Sequence, residues 1–398
     1  MNNTAANVSS TTASATMTGF MPGPHCGRGT LDIIWTCLST TLLAIWVSLH
    51  TYISADSSDE KLTWRTALTT FWEGNGATAF AVLPPFWKKL LAAGYFALVP
   101  EDAVTCAVRD LDCAMRLRRN VATIPGFEEF SLQLAFVVTL RGIHYKSDDE
   151  ECDTGIIMDE GDLLDFAQAG RMEFEDLPSD EEINDRNKSN QLLKSISIFQ
   201  TAWFVGNILY RLSTGLGVSL LEDLTAAYAV CGFVQFIAWF HCPQDINRPF
   251  TIVLREKEKC IPKYHYQDTF DAPDEAILLF GFPLLNCVAF AASVLVFTGI
   301  HLATWKYAFA SVAEMWLWRF CSMATILGLL PAFIIWGLLP PSGHLNNRQS
   351  AGLVLVILLG TLYVSARVII IVIAFAAFRS APLGIYKDAS WTDLIPHI

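Results

Sequence analysis

Positive charge is missing from the first 27 residues of this chain, and charge of either sign is scarce throughout: Asp, Glu, Lys and Arg together make up 17% of the 398 residues. A soluble domain carries about a quarter. Without a basic n-region ahead of the first apolar run, a cleaved signal peptide is disfavoured. A net charge of −12 excludes the basic surface that nucleic acid rewards. The ten cysteines include no CxxC pair and no Cys/His spacing that reads as a zinc site. No Walker-A loop, GxSxG elbow, HExxH or dinucleotide fingerprint occurs, and no paired DDxxD motif for a magnesium-bound diphosphate. The sequence thus calls for neither a metal nor a cofactor, and a soluble enzyme of a familiar class is not expected.

Long apolar runs take the place of these motifs. Hydrophobic residues reach 53%, with a mean hydropathy of +0.38. A membrane-spanning helix needs ~20 apolar residues. Six windows meet or approach that length: 31–53, 195–212, 220–240, 276–300, 317–339 and 353–378. The fold class expected is all-α, a polytopic membrane bundle of about six helices. The stretch 76–99 is apolar but interrupted by Pro84-Pro85 and Lys88-Lys89, so it reads as an interfacial helix. Most of the twelve tryptophans fall near predicted span ends, where their rings favour the interface.

Two features set a direction. Residues 1–30 form a Ser/Thr-rich tail with two glycosylation sequons, at Asn2 and Asn7. If that tail lies outside, 20 of the 27 Lys/Arg fall on cytosolic segments and four on outer ones, the bias expected of cytosolic loops. The chain then divides into an outer tail (1–30), a first span (31–53), a cytosolic or interfacial helical segment (54–194), a five-helix bundle (195–378) and an outer tail (379–398). The expected location is the endoplasmic reticulum or the plasma membrane, multi-pass, with the N-terminus lumenal or extracellular.

Within 54–194, "PEDAVTCAVRDLDCAMRLRRN" reads as a helix, with Pro100 near its start and Arg116, Arg118 and Arg119 at its C-terminal end. Residues 147–186 carry sixteen acids. Asp149, Glu151, Asp153 and Glu160 fall at calcium-loop positions, but Thr154 stands where that loop needs glycine, so a solvated acidic loop is favoured. Gly170 is placed as a helix C-cap. Ser179 with Glu182 makes a capping box, whose helix is expected to run on into the second span. Cys242 and Cys260 flank a membrane edge; the preferred reading is plain apolar packing rather than acylation.

Chemistry is then left to charge in or beside the spans, where ionisable groups usually face the bundle interior. The candidate substrate-binding residues are Arg367 and Tyr363, one turn apart on one helix face, with Arg211, Glu222, Asp223, His301, Glu314 and Arg319 near the outer span ends. These converge on one polar cavity in the functional reading. In the structural reading Arg211 and Glu222 form a salt bridge across a turn, Arg319 snorkels, and Arg367 pins helix packing.

Several stretches resemble a group of filamentous-fungal multi-pass membrane proteins: "CGRGTLDIIWTCLSTTLLAIWVSLH", "LPSDEEINDRNKSNQLLKSISIFQTAWFVGNILYRL", the "LLEDLTAAYAV…FIAWFHCPQDINRPF" block, and the ending "FRSAPLGIYKDASWTDLIPHI". Residues 131–160 depart from that pattern. The resemblance implies a fungal integral membrane protein and carries no catalytic residue with it. Three functions are expected to compete. The first is a membrane enzyme or accessory factor acting on a lipophilic small molecule, as in fungal secondary metabolism. The others are a transporter or receptor, and a scaffold recruiting a cytosolic protein partner through 54–194. The lipid bilayer is the common partner.

Overall fold

A computed structural model describes residues 16–23, 27–47, 85–146, 156–187, 191–244, 246, 248–254, 278–279, 282–339 and 347–388. Asn2, Asn7, Cys260 and the calcium-like positions Asp149, Glu151 and Asp153 lie outside them.

The protein is mostly helical. In chain order come α1 (Thr30–Val47), α2 (Pro85–Leu98), α3 (Pro100–Val121), α4 (Leu132–Thr139), α5 (Glu160–Gln168), α6 (Asp180–Arg186), α7 (Gln191–Ser213), α8 (Leu220–Ala238), α9 (Leu284–Ala303), α10 (Val312–Gly337) and α11 (Asn347–Ala376). Among the described residues four helices are long and apolar enough to cross a membrane: α8, α9 with the 3-10 turn after it, α10 and α11. α1 is apolar but shorter. α7, with Gln200 and Asn207 inside it and Lys194 and Arg211 towards its ends, is not among the four.

Local chemistry sets the helix ends. The window 276–300 becomes helical only at Leu284, because Pro283 halts the β5–β6 hairpin (Leu278–Leu279, Phe282–Pro283) and stands at the N-cap. α10 starts earlier than its window, at Val312, where the Ser311 hydroxyl accepts from the Glu314 amide at 3.2 Å. Gly170 takes φ +69° just past α5, and Ser179 and Glu182 form the expected reciprocal cap of α6. The expected continuous stem from α6 into α7 does not form. α6 ends at Arg186, and Asn187 is extended, its side-chain oxygen accepting from the Gln244 amide at 2.9 Å.

Two hydrophobic cores result. One fills the bundle of α1, α7, α8, α9, α10 and α11. The other builds a cap from the C-terminal half of α3, α4, α5, α6 and a small sheet. In that sheet β2 (Ile143–Lys146) pairs antiparallel with β3 (Ile156–Ile157) and parallel with β4 (Phe250–Val253). Its core includes Leu134, Phe136, Val137, Ile143, Met158, Leu163 and Ile183. The short sheet was not legible as a pattern, since two- and four-residue strands give alternation too little length.

α3 joins the two bodies. The segment 54–194, read from sequence as a loop apart from the bundle, places the start of α3 inside it, packed against α8 and α9. A face of small residues, Ala103, Ala107 and Ala114, permits that approach. Of the apolar stretch 76–99, residues 85–98 form α2. From Leu90 it forms with α3 a broken pair bent by 109° at Val99. Pro100 causes the break, since it removes an amide donor and disfavours helical geometry in the residue before it.

At the opposite end, β1 (Met17–Thr18) pairs with β7 (Ala381–Pro382), so the N- and C-terminal segments lie side by side. Gly27, at φ +147°, passes the Tyr386 carbonyl so closely that a Cβ would collide with it.

Candidate functional site

Breaking a helix frees carbonyls. The last turn of α2 has C=O groups with no amide beyond Pro100 to receive, and inside a bundle they need other donors. Three side chains approach the carbonyls of Ala97 and Leu98, and a fourth reaches that of Pro100 at the start of α3. Tyr228 of α8 donates to the Ala97 carbonyl. The Tyr363 hydroxyl lies 2.8 Å from the Leu98 carbonyl and Arg367 Nε lies 3.4 Å from it. Gln235 Nε2 reaches the Pro100 carbonyl at 3.5 Å.

The break also brings Glu101 to the first turn of α3, where a carboxylate suits the helix dipole. Glu101 and Arg367 are both fully buried, and Arg367 Nη2 meets Glu101 Oε1 at 2.5 Å. The other carboxylate oxygen also lies 2.8 Å from the Tyr363 hydroxyl, which shares its one proton between it and the Leu98 carbonyl. Arg367 stacks its guanidinium over the Phe297 ring at 3.6 Å. Its Nη1 faces His301 Nε2 at 3.5 Å, and His301 Nδ1 lies 3.0 Å from Asp223 Oδ2. The result is a buried chain across four helices: Glu101 on α3, Arg367 on α11, His301 on α9 and Asp223 on α8. A guanidinium has donors only, so His301 must accept at Nε2 and carry its proton on Nδ1, donating to Asp223. Trp318 closes the site, its indole N–H 3.3 Å from the His301 carbonyl. Gly328 lets α11 come in beside it, because a Cβ there would meet the Leu359 carbonyl at 3.0 Å and the Tyr363 Cβ at 3.1 Å.

The candidates named from sequence therefore divide into three sets rather than converging on one outer cavity. Arg367, Tyr363, His301 and Asp223 meet around the helix break. Arg211 and Glu222 belong to a separate clamp at the terminal end, and they do not pair with each other. Arg211 donates to the carbonyls of Gly217 (2.6 and 2.9 Å), Lys387 (2.8 Å), Gly384 (3.1 Å) and Ile385 (3.1 Å). Glu222 instead takes both guanidinium ends of Arg28 and caps α8 with Ser219. Arg28 Nε donates to the Ile385 carbonyl at 2.7 Å. The Gly-Arg-Gly and Pro-Leu-Gly-Ile-Tyr stretches thus form one clasp, with 357 positions between Arg28 and Ile385. Glu314 and Arg319 lie on the exterior. Glu314 pairs with the exposed Arg379, and Arg319 lies over Trp305 at 4.5 Å and donates to its carbonyl at 2.7 Å.

Three contributors escaped the sequence reading. Glu101 stood in a segment taken as cytosolic, and its signal was local: a Pro-Glu-Asp helix start directly after an apolar run. Tyr228 reads as one more aromatic in a span. Arg28 was counted only as an outer charge. Cys242, placed at a membrane edge, is buried in the cap core. Among the described residues no group of three or more His, Cys, Asp or Glu is arranged to hold a metal ion.

A family described as "Family of unknown function (DUF8562)" matches residues 162–275, which cover α5 to α8 and β4. No curated protein and no solved structure matches the chain.

Proposed function

We propose that this chain is a multi-pass integral membrane protein of the transporter class, in which the α2–α3 break is the moving element and the Glu101–Arg367 pair holds it closed. The observation that carries this is the broken apolar helix whose Ala97 and Leu98 carbonyls and buried first-turn acid, Glu101, are engaged by side chains of α8 and α11. Interrupted helices with ionisable partners are how membrane bundles place polar groups at depth, and such groups mark ion and solute pathways.

The membrane setting is supported by an inside-out surface. Leu31, Trp35, Leu38, Leu42 and Trp46 form one exposed stripe on α1 at helical spacing, with Trp35 75% exposed. Ile196, Phe199 and Trp203 do the same on α7, and Ile357, Leu358, Leu362, Val368 and Val372 on α11. Thr225, Ser293, Thr298, Ser322 and Thr325 are buried instead. The paired terminal segments support an even number of crossings, six if α1 and α7 are counted, and the Lys/Arg bias supports a cytosolic cap.

A membrane enzyme acting on a lipophilic molecule is the weaker reading at this site. A catalytic group must reach its substrate, whereas the polar atoms of Arg367, Glu101, His301 and Tyr363 already reach one another.

The test follows α2. Spin labels at Leu91 and Leu358, both on exposed faces, would report its position in phosphatidylcholine nanodiscs. Two distance populations are expected, with Arg367→Gln enriching the longer. One unchanged distance in wild type and variant alike sinks the transporter reading.

A further inference from the structure

Resting on that transporter reading, we infer that the coupling ion is a proton and that the Asp223–His301 pair is its binding site. The buried chain holds one fixed cation, Arg367, against two carboxylates, Glu101 and Asp223, with His301 neutral between them. Arg28 is committed to Glu222, the residue before Asp223, and contributes no spare countercharge. The cluster is therefore one positive charge short, in a place where an uncompensated charge costs several kcal/mol.

The titratable groups around His301 are few. α8 brings Asp223, Tyr228 and Cys231; α3 brings Glu101; α11 brings Tyr363 and Arg367; α10 brings Cys321, one turn beyond the non-titrating Trp318, whose ring lies 5.6 Å away. Of these side chains imidazole is the one that changes charge near physiological pH. A metal cation would need several oxygen ligands. Here Glu101 is occupied by Arg367 and Tyr363, which leaves one carboxylate and one imidazole.

The proton's consequence follows from the tautomer. Unprotonated, His301 donates from Nδ1 to Asp223 and accepts from Arg367 at Nε2. One proton taken up at Nε2 makes the ring an imidazolium, balances the Asp223 charge, and turns Nε2 into a donor facing the Nη1 donor of Arg367. The His301–Arg367 contact cannot survive that change. Arg367 and Tyr363 also hold the Leu98 carbonyl, so the loosened guanidinium frees the helix break. Protonation at Asp223–His301 thus disfavours closure of α2, and such a difference between the two states is what coupling requires.

Two measurements on the full chain in nanodiscs test this. The first is NMR of nitrogen-15 histidine, with His301→Gln to assign the signal. It should show an Nδ1-protonated neutral ring that acid converts to an imidazolium. An Nε2–H tautomer, or a ring that never titrates, overturns the inference. The second is the Leu91–Leu358 label pair. Acid should raise the ratio of long to short distances roughly tenfold in wild type. Asp223→Asn, nearly isosteric, should abolish that acid response, as should His301→Gln. Two populations that ignore pH, or that follow sodium at constant pH, leave the transporter reading standing and remove the proton. A single distance under all conditions removes the transporter reading itself, and a titrating His301 would then fall with it as a coupling site.

Discussion

The bundle and the cap place charge in opposite ways, although α3 runs through both. In the bundle Leu, Ile, Val and Trp face outward, while Glu101, Asp223, His301 and Arg367 lie buried. In the cap Phe136, Val137 and Leu163 lie buried, while most of the acids of α5 and α6 face outward. One helix carries the exchange. Near its start Glu101 is enclosed with Arg367, and near its end Arg116 pairs with Asp112 on a partly exposed face at 2.8 Å. The difference teaches where folding free energy comes from in each body. The cap gains it by removing apolar surface from water. The bundle faces outward with the same residues, so in the proposed membrane setting its helices are held together by packing and by internal polar contacts.

The largest expected effect comes from breaking the buried pair. Glu101→Ala leaves Arg367 without its counterion, and removal of one partner of a buried ion pair costs about 3–5 kcal/mol. Thermal unfolding of the detergent-solubilised protein should show a loss of that size. The double substitution Glu101→Leu with Arg367→Met removes both charges together and should recover most of it. Equal losses in the single and double variants would show that shape, not charge, is what this site supplies. The same comparison drawn in the cap should fail: neutralising the exposed Glu181 with Gln should change stability by about 0.5 kcal/mol or less.

A smaller effect is expected at Ser179. Its hydroxyl accepts from the Glu182 amide at 3.2 Å, and the Glu182 carboxylate accepts from the Ser179 amide at 3.1 Å. Ser179→Ala should cost about 1 kcal/mol. Because α6 stops at Arg186, the loss should stay in the cap. Hydrogen exchange should rise in α6 and be unchanged in α7. Parallel acceleration in α7 would mean that the two helices act as one stem after all.

How far the sequence was legible follows the same division. The spans are long and written in composition, so α8, α10 and α11 appear close to where their apolar runs predict, and the Gly170 and Ser179–Glu182 caps stand where their residue types put them. Arg367 and Tyr363 were found because a charge in an apolar run is conspicuous. Their partner was not, because Glu101 lies 266 positions away, in a segment whose charge looks ordinary. Only the break at Pro100 carries it into the bundle. The clasp was misread for the same reason. Arg211 and Glu222 are neighbours in sequence, but the turn sends Arg211 to backbone carbonyls and leaves Glu222 to Arg28. Local pattern names a group; it takes the fold to say which of several distant partners the group meets.

The last prediction contrasts the two buried histidines. His301 has a partner at each ring nitrogen, whereas His144, in β2 of the cap, has a buried Nε2 with none. Burial lowers the pKa of His144 below its ordinary 6.5. Unfolded His144 therefore takes up a proton at a pH where the folded protein still excludes it. Between the two values the unfolded state binds more protons, so cap stability rises with pH and is lost as pH falls below about 6.5. The effect is smaller than that of the cap box, because a single partly shifted imidazole is at issue. His144→Phe should remove the acid-side loss if the cap holds a ring there for its shape alone. Hydrogen-exchange protection factors of β2 and β4, paired in register from Ile143 with Phe250 to Lys146 with Val253, should fall in wild type between about pH 7 and about pH 5.5 and change less in the variant. An equal fall in both would assign the acid sensitivity of the cap to its carboxylates and not to this ring.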